Sequence, residues 1–102
     1  MPAIIVLQRH SVENCPMNNE KMKKMASEIM DKIGALTKKH GIKMVGNWSV
    51  PQEHLSIIVY EAPTLDVFLK FQMEPAVMKW VAQHTTEIKV AMTTEEAMKL
   101  LR

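Results

Sequence analysis

A chain of 102 residues has room for one domain around one hydrophobic core. Its 47% hydrophobic and 24% charged residues are a globular composition, and a formal net charge of +2 argues against a nucleic-acid or membrane-surface partner. A single cysteine excludes an internal disulfide, so the expected setting is a reducing cytoplasm.

The opening residues "MPAIIVLQRH" have a short apolar run and no basic stretch before it, so no secretory leader is expected. No segment approaches the roughly 20 apolar residues that span a bilayer. Ala3–Gln8 is short and β-branched, which predicts a buried strand. From about Met17 to His40 the apolar positions Met22, Met25, Ala26, Ile29, Ile33 and Leu36 step by three and four, the stripe of an amphipathic helix. Asn18 or Asn19 suits its N-cap, and His40–Gly41 its stop. Ile42–Val50 and Glu53–Ala62 read as two strands joined by a tight turn at Pro51–Gln52, an antiparallel hairpin. Pro63 and Thr64 open a second helix through Leu65–Met73, which Glu74–Pro75 interrupts before Ala76–Gln83 resumes it. Thr85–Met92 reads as a fourth strand. Thr93 and Glu96 stand at capping-box spacing ahead of a short terminal helix. Most of the ten methionines are expected as adaptable core filler, with a methionine-lined copper site as the alternative.

The order βαββαβ plus a tail helix predicts an α+β, ferredoxin-like single domain. Right-handed crossovers make the first two strands parallel with the third between them. The usual sheet order for this arrangement is 4-1-3-2, all antiparallel neighbours. Both main helices then cover one sheet face. The central strands are nevertheless apolar on both parities: Ile4 and Val6 against Ile5 and Leu7, and Ile57 and Val59 against Ile58 and Tyr60. A half-solvated strand alternates more cleanly, so the second face is expected to meet another copy in a symmetric homodimer, with assembly beyond the dimer left open.

Trp48, Pro51 and His54 form the pattern W-x-x-P-x-x-H, continued by Val59, Glu61, Ala62 and Thr64 as V-x-E-A-x-[TS]. With these motifs nearly the whole chain resembles the dimeric α+β-barrel superfamily, closest to its small uncharacterised members. That resemblance implies a homodimer. The superfamily spans cofactor-free monooxygenases, muconolactone-isomerase-like enzymes and haem proteins, and no catalytic signature of these is present, so the fold does not set the reaction.

The topology brings distant residues together. His10 ends the first strand, His54 begins the third and His84 precedes the fourth, so all three fall at one sheet edge on adjacent strands about 4.8 Å apart. Cys15 and Glu13 lie in the loop leaving that edge, and Trp48 approaches it from the second strand. Cys15 is the secondary candidate, helped towards thiolate by the helix that follows. Glu13 reads as a solvated acid, and His40 belongs to the opposite edge. Three imidazoles with a thiolate or carboxylate suit a transition metal ion: zinc, copper, nickel or iron. No H-x-H, HExxH or CxxC spacing marks the site locally. The leading expectation is a homodimeric binding protein holding a metal or small ligand at His10, His54, His84 and Cys15. A cofactor-free oxygenase or isomerase, with a histidine as general base beside a helix–sheet cavity, is the second. An interaction module without a site is the third.

Overall fold

The computed structural model describes residues 2–102. Strand β1 (Ala3–Arg9) leads through a turn-rich loop to helix α1 (Glu20–Lys39), and β2 (Lys43–Val50) and β3 (Leu55–Glu61) form a hairpin. Helices α2 (Leu65–Gln72) and α3 (Pro75–Val81) precede β4 (Thr85–Ala91) and the terminal helix α4 (Thr94–Leu100). The four strands form one antiparallel sheet in the order β2-β3-β1-β4, the ferredoxin-like arrangement expected from the element order. Among the described residues no helix is long and apolar enough to cross a membrane.

Local chemistry sets the boundaries. Asn19 caps α1, its side-chain oxygen accepting from the Met22 amide at 3.1 Å. The helix therefore starts at Glu20, as the expected cap requires, after a Cys15–Asn18 turn closed by the Asn18 amide donating to the Cys15 carbonyl. Cys15 consequently lies outside the first turn of α1. Gly41, at φ +66°, takes the left-handed position that ends α1. Thr64 and Thr93 cap α2 and α4, and Pro75 opens α3 after the break at Glu74. The hairpin turn is one 3-10 turn over Pro51–Glu53, followed by His54 in the left-handed region at φ 50° and ψ 40°.

The core lies between the sheet and α1–α3. Ile4 and Val6 of β1 and Ile58 and Tyr60 of β3 meet Ile29, Phe68 and Phe71 from the helices. Phe68 and Phe71 are fully buried, each worth about 1.5–3 kcal/mol of apolar burial. Burial also pushes the Tyr60 hydroxyl pKa up to about 12. The methionines depart from expectation. Met22 and Met25 are buried and Met44 packs against the core, but Met17, Met30, Met73, Met78, Met92 and Met98 are exposed. One helix layer offers only a narrow inward stripe, which leaves the other methionines at the surface.

The molecule is 17 Å across its thinnest axis, enough for one sheet and one helix layer. Among the described residues the buried core packs on one face of the sheet, and the second face is only half-buried. By register it carries Ile5 and Leu7 beside Val59 and Ile57, with Trp48 next to Ile57. The Trp48 ring lies over Gly46, where a Cβ would run into it. Helix α4 is exposed except at the half-buried Ala97, and Leu100 and the following Leu101 are open to solvent.

Candidate metal centre

The site is built from sheet register. The β1–β3 and β1–β4 ladders end at Arg9 opposite Leu55 and Thr85. One step further, His10 stands between His54 and His84. The His10 amide donates to the His54 carbonyl at 3.1 Å, extending the first ladder by one pair. The His10 ring centroid is 5.1 Å from that of His54 and 5.9 Å from that of His84, both pairs edge-on. His54 is the one non-glycine residue with positive φ among the described residues, and this bend follows the tight Pro51–Glu53 turn.

His10 Nε2 and His54 Nδ1 share a hydrogen bond at 3.2 Å, so one nitrogen carries the proton and the other accepts. The buried Cys15 completes a group with these two: its Sγ and the two ring nitrogens all lie within 4.8 Å of one another. Across a tetrahedral ion with N ligands at about 2.05 Å, two nitrogens sit about 3.3 Å apart. The His10–His54 separation already matches that edge, with the sulfur in the same 4.8 Å group.

His84 stands beside the group in a different state. Its Nδ1–H donates to the Trp80 carbonyl at 2.7 Å, which fixes the tautomer of the neutral ring and leaves Nε2 as the acceptor. The ring packs against the Trp80 indole at a centroid distance of 4.4 Å, tilted by 47°. A ligating histidine often gives its other ring N–H to a carbonyl in this way. Burial, more than the neighbouring His54 and His84, holds the His10 pKa below its ordinary value. Burial also lowers that of His84, against the opposing hydrogen bond to Trp80. Neutral imidazoles are the form that binds metals.

All three histidines and Cys15 line one cavity of about 310 Å³ between the sheet and the helices. Its walls are mainly apolar, and no Asp, Glu, Lys or Arg lines it. Glu13 is exposed, as expected of a loop acid. His40 lies at the other edge, where its Nε2–H donates to Glu74 at 2.8 Å.

Two residues were missed by the sequence reading. Trp80, not Trp48, is the tryptophan of the site; Trp48 is held on the opposite sheet face by its register with Ile57. Gln8, only 3% exposed, accepts from the Trp80 indole N–H at 3.2 Å and ties α3 to β1. The period of two that puts Gln8 and His10 on one face was available as a signal, as was the i,i+4 spacing of Trp80 and His84. Compared with protein-family models and with curated proteins, the chain matches no family model and no curated protein.

Proposed function

We propose that this chain is a small metal-binding protein in which His10, Cys15 and His54 hold a transition metal ion, with the fourth position open to the neighbouring His84 or to an outside ligand. One observation carries the reading: donor atoms from two distant chain segments, His10 and Cys15 in one and His54 in the other, lie within 4.8 Å of one another at the wall of a cavity. Imidazole and thiolate together suit zinc and copper best among the metals expected from the sequence. An ion would take the place of the proton shared by His10 and His54; that proton would move to the other nitrogen of its own ring, so both imidazoles stay neutral and binding releases only the thiol proton of Cys15. Cys15 must stay reduced to serve, which fits a cytoplasmic setting.

Cobalt(II) titration is the direct test. The expected result is one equivalent bound, with a thiolate-to-cobalt charge-transfer band that disappears in Cys15→Ala while the circular dichroism is unchanged. A protein that takes up no divalent ion at micromolar concentration overturns the reading.

The protein acts as a homodimer in this proposal, in line with the resemblance to the dimeric α+β barrels. Support comes from the apolar, half-buried sheet face around Ile5, Leu7, Ile57 and Val59 and from the exposed apolar end of α4. Sedimentation as a monomer at micromolar concentration removes this part.

The cavity favours a second reading, a cofactor-free enzyme with His10 or His84 as general base. At about 310 Å³ it reaches the lower bound of small-ligand sites. Turnover of an apolar substrate by metal-free protein would support it. A module without a site would need histidines pointing apart and no pocket, and the geometry supports neither.

A further inference from the structure

Resting on the metal reading above, we infer that the site is built to take a small apolar monoanion, a carboxylate with a hydrocarbon body, as the exchangeable partner of the ion. The argument is one of charge and space. Two neutral imidazoles and one thiolate around a divalent cation leave a net charge of +1. That charge sits at the wall of a cavity in which no acidic side chain is present to offset it. A net charge in an apolar enclosure is costly unless a counter-charge accompanies it. One carboxylate brings the total to zero, whereas a neutral donor leaves +1 and an amine raises it.

Space for the remainder of such a molecule is on the same side. The cavity runs inward from the histidines between Val6, Ile29, Ile33, Ile58 and Val77, all apolar. With three protein ligands in the donor group, a tetrahedral ion keeps one position for an exchangeable ligand. His84, tethered to Trp80 through Nδ1, stands beside that position and competes for it through Nε2.

A guanidinium also stands close to the site. His10 and His84 also line a shallow surface cleft on their other side, and the one charged residue lining that cleft is Arg9. Its contact with Glu53 is long, at 3.9 Å between two half-exposed side chains, so the guanidinium remains available to an incoming anion.

The test uses the wild-type chain loaded with cobalt(II) and three probes of one shape: phenylacetate, phenylacetamide and phenethylamine. The expected result is a change in the cobalt visible spectrum with phenylacetate, and calorimetric affinity at least about tenfold above that for the amide. Phenethylamine should not bind, and phenylacetate should not bind metal-free protein. Cobalt uptake with equal binding of acid and amide, or with no spectral change on adding the acid, overturns this inference and leaves the metal site standing. Phenylacetate binding equally well without metal overturns the role of the ion. Failure to take up cobalt removes both.

Discussion

Replacing His54 by glycine should separate the backbone role of this residue from its role as a ligand. His54 holds φ 50°, a conformation that costs an L side chain about 1–2 kcal/mol and that glycine adopts freely. Against that gain, glycine adds about 0.5–1 kcal/mol of unfolded-state entropy. The lost hydrogen bond to His10 costs about 0.5–1.5 kcal/mol, and the half-buried His10 ring can turn to water in its place. The sum lies within about 1.5 kcal/mol of zero, a melting shift of under about 12 °C for a domain this size. The metal is affected far more. If a four-ligand zinc site is worth about 10–16 kcal/mol, one ligand supplies about 2.5–4 kcal/mol, so affinity should fall about a hundred- to a thousand-fold. Urea unfolding of metal-free protein gives the first quantity, and competition with a chromogenic chelator gives the second. His54→Asn, which tolerates the same backbone, should lose comparable affinity. A metal-free His54→Gly protein destabilised by more than about 3 kcal/mol would make the histidine a structural residue. Unchanged metal affinity would remove it from the site.

Three further outcomes follow from other parts of the fold. Phe68→Ala empties a fully buried position packed 5.5 Å from Tyr60 and 5.9 Å from Phe71, ring centre to ring centre. It should cost about 3–5 kcal/mol by urea denaturation; a loss below about 1 kcal/mol would contradict the core described here. Glu74 accepts from Lys39 and His40, each at 2.8 Å, and the Lys39 hydrogen bond first, then that of His40, holds its carboxyl below the ordinary 4.5. A depressed folded-state pKa means that this contribution is complete above pH 4.5 and is lost as pH falls through the lowered value. Glu74→Gln should therefore flatten the acid limb of the stability profile, and an identical slope below pH 4.5 would count against the linkage. Gly46→Ala should push the Trp48 ring off the sheet, read as a red-shifted emission in a Trp80→Phe background, and weaken the dimer in sedimentation. Unaltered emission and association would mean that Trp48 does not lie against Gly46 at the proposed interface.

Much of this molecule is legible in the order of its residues. Stripes of period 3.6 and runs of β-branched residues mark α1 and the strands, because helix and strand faces are short-range repeats. Asn19, Gly41, Thr64 and Thr93 act within a few residues of where they stand, so the ends of elements follow from them. The element order, with right-handed crossovers, is enough to place His10, His54 and His84 at one sheet edge. What distance along the chain conceals is which side chains meet there. Cys15 joins His10 and His54 because a short turn folds its loop back over the edge, a path no periodicity encodes. Trp80 enters the site, and Trp48 leaves it, through the strand register and the packing of α3 on β1, contacts between residues as far apart as Gln8 and Trp80. The cavity itself belongs to the spacing of helices over the sheet. Local repeats are read from neighbours in the chain, whereas a site is made by neighbours in space, and only the packed structure brings those together.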